Sequence, residues 1–306
     1  MPPPRVAVGP FAPAWVVRAV EDGGGTVVGL SDSPDAIVWL DLRDVGALRR
    51  ALADAPTARW AQLPAAGVEA AAADGLFDDG RVWTSAKGTY AEPVAEHALA
   101  LALAGLRDLP ERITARTWGR PKGATLYDAD VVVLGGGGIA TALLSLLEPF
   151  RARVTVVRRQ PGSVRGAVRT VPMAELHAAL PGALVVFLAL ALTPETTGVI
   201  GAAELALMGP RTWLVNVARG RHVDTVALVA ALQAGAIGGA ALDVTDPEPL
   251  PDGHALWALP NAIITPHTAD WPEIVERLLA RRITENVAAF AAGRALEGRI
   301  DPAAGY

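Results

Sequence analysis

Apolar residues along the chain fall into two alternating kinds of run. Short stretches rich in β-branched residues alternate with Ala/Leu-rich stretches whose apolar positions recur at helical spacing. In the first third, residues 5–8, 26–30, 36–40, 59–63 and 81–84 read as strands. Helices predicted over 13–20 and 45–53 are bounded by Gly and Pro. A second set, 130–134, 153–157, 184–190, 212–217, 239–244 and 262–265, is almost continuously apolar, as strands become when a parallel sheet is covered on both faces. Strand followed by helix, many times over, predicts an α/β fold of doubly wound parallel sheets, here in two units. Residues 92–106 read as one long apolar helix leading from the first unit into the second. A last helix is expected over 272–292.

The strand 130–134 runs directly into Gly135-Gly136-Gly137-Gly138-Ile139-Ala140 and then a helical stretch, a Gly-x-Gly-x-x-Ala pattern. In such a turn the first glycine permits the tight bend and the second lets backbone approach a pyrophosphate. The small third residue lets the helix close on the strand. The helix N-terminus presents unpaired N–H groups to the anion. Strand before and helix after make this a dinucleotide site, with Gly135, Gly137, Gly138 and Ile139 as binding residues. The next strand ends in Arg158 and Arg159, where an NAD site offers a carboxylate to the ribose. Two guanidiniums suit a 2′-phosphate, so NADP is expected in preference to the alternative, NAD.

Three further motifs close three successive strands: Ala218-Arg219-Gly220, Thr245-Asp246-Pro247-Glu248-Pro249 and Thr265-Pro266-His267. In an open α/β sheet those strand ends border the ligand crevice. Reducing a carbonyl builds negative charge on its oxygen, which calls for a proton donor titrating near neutrality and a fixed cation. An Arg, a carboxylate and a His at three such ends provide both.

With Gly135–Ala140, Leu192-Thr193-Pro194-Glu195-Thr196, Val215-Asn216-Val217-Ala218-Arg219-Gly220, Ala241-Leu242-Asp243-Val244, Asp246-Pro247-Glu248-Pro249-Leu250 and Ile264-Thr265-Pro266-His267, the chain resembles the D-isomer-specific 2-hydroxyacid dehydrogenases. The likeness covers about residues 60–295 and is most specific over 184–268. It implies a Rossmann cofactor domain, 91–272, inserted into a flavodoxin-like substrate domain, 1–90 with 273–306. It implies reduction of a small 2-oxo acid by NAD(P)H to a D-2-hydroxy acid, in the glyoxylate/hydroxypyruvate reductase class. The same resemblance admits an alternative, a nucleotide-sensing corepressor-like protein, separable by its lack of turnover. By resemblance, His267 is the acid/base, Glu248 holds its ring, and Arg219 clamps the substrate. Backbone of Ala65, Ala66 and Gly67 binds the substrate carboxylate. Thr193, Val217 and Ala218 lie beside the cofactor, and Asp243 meets the nicotinamide carboxamide. The family usually forms homodimers, for which 92–106 is the candidate interface. Ala189, Ala191 and Gly138 depart from the common family residues around the cofactor.

The 306 residues fit about two domains at roughly 150 residues each. An apolar content of 51% excludes a disordered chain. A net charge of −5 without a Lys/Arg run argues against a nucleic-acid partner. The absence of cysteine excludes disulfides, thiolate metal sites and a cysteine nucleophile. No signal peptide is read at Met1–Arg5, and the longest apolar stretch, 183–192, is far short of the ~20 residues that span a bilayer. A cytoplasmic protein without a membrane partner is expected. His97, His177, His222 and His254 lack metal-ligand spacing, so no metal is expected; His97 reads as a packed structural histidine. Tyr90 and Trp271 are candidates either for lining the substrate site or for packing.

Overall fold

A computed structural model describes residues 2–160 and 162–302. The chain divides into two compact units, Met1–Tyr90 with Trp271–Tyr306, and Ala91–Asp270.

In the first unit, β1 (Arg5–Gly9), β2 (Thr26–Val28), β3 (Ala36–Trp39), β4 (Trp60–Gln62) and β5 (Val82–Thr84) form a sheet in the order β2-β1-β3-β4-β5. Every pairing is parallel. This is the flavodoxin-like order. Its helices are α1 (Ala14–Asp22), α2 (Val45–Asp54), α3 (Glu69–Ala73) and the C-terminal helix Pro272–Ala291. The latter packs against α1 and buries Leu279, Ile283 and Val287, each worth ~1.5–3 kcal/mol over exposure. A buried polar chain ties that helix to the sheet. Asn286 Nδ2 donates to Gln62 Oε1 (2.8 Å), Thr84 Oγ1 donates to the same oxygen (2.8 Å), and Trp60 Nε1 donates to Thr84 Oγ1 (2.8 Å).

The second unit holds β6 (Asp130–Leu134), β7 (Arg153–Arg158), β8 (Arg169–Pro172), β9 (Val185–Leu188), β10 (Trp213–Asn216), β11 (Gly239–Leu242) and β12 (Ala262–Ile264). They form a sheet ordered β12-β11-β10-β9-β6-β7-β8, again parallel throughout. Its helices are α4 (Ala91–Leu106), α5 (Leu109–Thr114), α6 (Gly138–Leu147), α7 (Leu176–Ala179), α8 (Ala202–Leu207) and α9 (Thr225–Gln233). From β6 the chain winds outward through β7 and β8, then returns to add β9 on the other side. The switch point therefore lies between β6 and β9, and ligands bind at such a point beyond the carboxyl ends of the strands.

The apolar pattern does not reveal the strand β8. It is an edge strand ending in proline and burying only Val171, so it lacks the apolar run that marks its neighbours. The predicted strand over 184–190 is shorter than expected, because the chain leaves the sheet after Leu188 to form the loop beside the switch point. The long apolar helix spans Ala91–Leu106. Its apolarity is largely consumed within the unit, since Val94, Ala98, Leu101, Ala102 and Leu106 are buried and the helix packs on α6, β10 and β11.

Candidate active site

The glycine turn leaves β6 at the switch point. Gly135 has φ +112°, a left-handed conformation open to glycine, and a side chain there would collide with the carbonyl of Ala189. The turn therefore lies against the loop leaving β9. Gly137 caps α6 without a side-chain partner for the helix N–H groups, and open space surrounds its Cα where a side chain would stand. Gly138 opens the helix, exposed, with Ile139 half-buried behind it and Ala140 fully buried. Arg158, at the end of β7, folds across the turn: a Cβ on Gly136 would stand 3.0–3.2 Å from its Cδ, Nε and Cζ. Arg159 is exposed, and its charge bears on Glu195 in the β9 loop. A bare helix N-terminus, a glycine cradle with room at Gly137 and a guanidinium across its rim fit a dinucleotide phosphate.

The loop leaving β9 is built on threonines. Thr196 Oγ1 accepts from the Thr193 N–H (2.8 Å) and lies 2.8 Å from the Ala191 carbonyl, to which it donates. After β10, Asn216 is fully buried and closes a small turn: its Oδ1 accepts from the Ala218 N–H (3.0 Å) and its Nδ2 donates to the Arg219 carbonyl (2.9 Å). Val217 and Ala218 are buried, and half-buried Arg219 donates from Nη1 to the Ala218 carbonyl (2.7 Å). Gly220 is needed for contact, since a Cβ there would strike the Thr245 carbonyl of the next loop.

His267 and Glu248 meet. His267 Nδ1 lies 2.7 Å from Glu248 Oε1, and the Thr245 N–H reaches the other oxygen, Oε2, at 3.3 Å. Nδ1 donates to the carboxylate, and among the described residues Nε2 has no hydrogen-bond partner. The pair is 45% and 41% exposed, so it is open to a ligand. His267 itself has φ +50°, an unusual conformation for a residue with a Cβ.

Asp243 holds that turn in place. Its carbonyl accepts from the His267 N–H (2.8 Å), Oδ1 from the Thr268 N–H (2.9 Å) and Thr265 Oγ1 (2.6 Å), and Oδ2 from the Ala269 N–H (3.2 Å). His97, from α4, reaches both Asp243 Oδ1 (3.2 Å) and Thr265 Oγ1 (3.1 Å) through Nε2. Burial pushes the Asp243 carboxyl up, but hydrogen bonds from His97, Thr265 and the Thr268 N–H outweigh it and hold its pKa at about 2. The side chain is 1% exposed and aimed into this turn. His97 is therefore a polar tether to the turn and not an inert packed ring. Asp270 follows three residues after His267; burial raises its pKa, and the charges of His267, Asp243 and Arg219 all act on it.

In the first unit, the loop 64–67 follows β4. The Ala65 carbonyl accepts from the Ala86 N–H (2.9 Å), and buried Tyr90 donates from its hydroxyl to the Pro64 carbonyl (2.8 Å). Among the described residues, the N–H groups of Ala65, Ala66 and Gly67 donate to no partner. Tyr90 is thus a brace for this loop, whereas Trp271 is 49% exposed. No group of three or more His, Asp or Glu among the described residues is placed to hold a metal, and no described helix is long and apolar enough to cross a membrane.

The sequence pattern singles out neither Asn216 nor Asp270, and it treats His97 and His222 as histidines outside the site. Asn216 stands inside the motif before Arg219, and a side-chain amide two residues before a turn residue is a recognisable signal. Asp270 carries no local signal.

A nucleotide cradle at the switch point, with an imidazole–carboxylate pair and a guanidinium on the same sheet edge, defines the class as a nicotinamide-dependent oxidoreductase. The sequence pattern of the D-isomer specific 2-hydroxyacid dehydrogenase NAD binding domain matches residues 97–269, and the chain belongs to that family. It is 38% identical over 254 residues, 81% of this chain and 84% of the relative, to an uncharacterized protein of the proB 3′ region of Corynebacterium melassecola. A glyoxylate reductase of Aeropyrum pernix is 32% identical over 223 residues, 69% of this chain and 67% of the relative. Among solved structures, a D-isomer specific 2-hydroxyacid dehydrogenase of Xanthobacter autotrophicus Py2 in complex with NADPH and MES superposes with a TM-score of 0.84 at 28% identity, covering 100% of both chains. The protein is an NAD(P)-dependent 2-hydroxyacid dehydrogenase.

Proposed function

We propose that the chain is a cytoplasmic, NADPH-preferring reductase of small 2-oxo acids, glyoxylate and hydroxypyruvate foremost. The observation that carries this reading is the 2.7 Å His267–Glu248 pair with Nε2 of the ring left open. When bound, the nicotinamide supplies the hydride that reduces the substrate carbonyl. His267 protonates the developing oxyanion from Nε2, and Glu248, on Nδ1, holds the ring and stabilises its cationic form. Arg219 polarises the carbonyl and pairs with the carboxylate. The free N–H groups of Ala65, Ala66 and Gly67 offer the first unit's hydrogen bonds to a substrate carboxylate. The Gly135–Ile139 turn would hold the cofactor phosphates, and Thr193, Val217 and Ala218 would flank its nicotinamide. Arg158 and Arg159 take the 2′-phosphate, in keeping with the NADPH held by the Xanthobacter relative. Asp243, expected by resemblance to meet the carboxamide, has its carboxylate buried in hydrogen bonds and serves to anchor the His267 turn.

The 91–272 segment serves as cofactor domain and 1–90 with 273–306 as substrate domain. The outer face of α4, with half-buried Leu99 and Leu103, and exposed Leu109, Ile113 and Trp118 nearby, forms a homodimer interface. Sedimentation should show a dimer that Trp118→Glu weakens; an unchanged dimer places the interface elsewhere.

The activity is tested by following NADPH and NADH oxidation over glyoxylate, hydroxypyruvate, pyruvate, 2-oxobutyrate, phenylpyruvate and 2-oxoglutarate. Turnover of glyoxylate or hydroxypyruvate at the highest kcat/KM, with NADPH, is the expected result. Absence of turnover with every acid, alongside nucleotide-dependent association, would replace the enzyme by a nucleotide sensor.

A further inference from the structure

His222 is fully buried, three residues beyond Arg219, in the short helical turn Gly220–His222. Its Nδ1 lies 2.9 Å from the Thr196 carbonyl and its Nε2 3.2 Å from the Leu190 carbonyl. These carbonyls stand at the two ends of the loop that leaves β9, the loop containing Thr193. A carbonyl oxygen can only accept, so a neutral ring bonds one end of the loop at a time and a protonated ring bonds both.

Elsewhere the same two segments are joined by backbone. The Gly198 N–H donates to the Arg221 carbonyl (2.8 Å), the Ile200 N–H to the His222 carbonyl (3.0 Å), and Ile200 pairs with Val223 as a parallel bridge. This fastening covers only the far part of the loop. The near part, 190–196, next to the glycine turn, is reached by the histidine ring. The connection continues inward, because Thr196, whose carbonyl faces the ring, uses its hydroxyl to accept from the Thr193 N–H. On the other side, the His222 N–H donates to the Arg219 carbonyl (3.2 Å), which also accepts from Asn216. One buried residue thus joins the loop at the cofactor side, through its ring, to the turn that displays the guanidinium, through its backbone N–H.

We propose that His222 is a positioning residue whose ring, set between the carbonyls at the two ends of the 190–196 loop and donating to one of them, holds that loop against the Arg219 turn and so fixes the nicotinamide-side loop relative to the substrate-binding guanidinium. It touches neither cofactor nor substrate, and the inference rests on the reading of this unit as the NADPH site. A buried histidine that merely fills space would affect folding yield and melting temperature. It would leave the affinity of each folded site alone.

The test compares His222→Phe, which fills the volume without a donor, with His222→Asn, whose amide stands near the Nδ1 position and keeps the Thr196 bond. NADPH dissociation constants are measured by fluorescence titration with stoichiometry, so that only binding-competent sites count, beside kcat and both KM values. Loss of the ring's hydrogen bond to the loop should raise the NADPH dissociation constant and KM of the Phe variant by about three- to tenfold and lower kcat. The Asn variant should recover part of the loss. An unchanged dissociation constant per competent site in the Phe variant, or identical Phe and Asn variants, overturns the proposal. Should the Phe variant not fold, His222→Gln keeps a donor only toward Leu190. A dissociation constant above wild type then supports the tie, and one equal to wild type overturns it. Wild-type protein that binds neither NADPH nor NADH would sink the underlying functional reading itself, a result distinguishable from failure of the tie alone.

Discussion

The five strands of the first unit and the seven of the second are all parallel, yet the loops leaving their carboxyl ends expose different chemistry. In the second unit those loops carry charged and titratable side chains: Arg158, Arg219, Glu248 and His267, with Asp243 and His97 bracing the last of them. In the first unit the loop after β4 carries two alanines and a glycine and exposes backbone N–H groups, while its polar side chains, Gln62, Thr84 and Asn286, are buried as internal fastenings. On the proposed reading, the second unit works through side chains at its sheet edge and the first through the main chain of the loop after β4.

The largest effect that would test this contrast is on the imidazole. His267→Ala should lower kcat by ~10²–10⁴, the usual scale for a positioned acid/base. The NADPH dissociation constant should stay near wild type, because the role proposed for the ring is at the reacting oxygen and not at the phosphates. Steady-state kinetics with a nucleotide titration decide it. Undiminished turnover would remove side-chain acid catalysis from the second unit.

A second test separates the two cofactors. Replacing Arg158 and Arg159 together by Ala should raise KM for NADPH by ~10–100-fold, as two charge-assisted hydrogen bonds are lost, and leave KM for NADH within about twofold. Equal effects on both cofactors would show that Arg158, lying across Gly136, serves the pyrophosphate common to them.

For the first unit, deleting side chains from 65–67 tests little, since the proposed chemistry is in the backbone. Ala66→Pro removes one N–H and restricts Ala65 as well. KM for the 2-oxo acid should rise by ~10-fold, the cost of one hydrogen bond to a carboxylate, with NADPH affinity unchanged. An unaltered KM would mean that this loop does not bind substrate.

The contrast also explains what could be read from the chain. Strands buried on both faces, such as β6 and β9, announce themselves as apolar runs, and the side chains proposed for the chemistry sit in motifs at strand ends. The edge strand β8 has no such run. His97 and His222 gain their partners from segments far away in sequence, Asp243 and the 190–196 loop, so local spacing carries no trace of either role. The helix Ala91–Leu106 divides its apolar faces: one is answered by α6 and the adjoining strands, and Leu99 and Leu103 on another stay half-buried, so apolarity in the sequence does not separate the two uses.

The smallest effect belongs to Asp270, and it probes how the second unit tolerates charge away from its motifs. Burial raises this carboxyl in the folded protein, Asp243 adds repulsion, and the attraction of His267 and Arg219 does not cancel the two. With the folded pKa above the unfolded one, ionisation disfavours the native state. The penalty is absent below the unfolded pKa, near 3.9, and grows as pH rises through the folded value. Asp270→Asn keeps the shape without the charge. Its melting temperature should therefore exceed that of wild type at pH 7–8, and the two curves should converge as pH falls toward 3.5. Asp243, depressed to about 2, has the opposite sign: its contribution is full above pH 4 and fades between about 4 and 2, so Asp243→Asn should destabilise at neutral pH by ~2 kcal/mol. Differential scanning calorimetry across pH 3–8 reads both variants. If Asp270→Asn melts lower than wild type at pH 7, the attraction of His267 and Arg219 dominates, and Asp270 belongs among the working charges of the sheet edge.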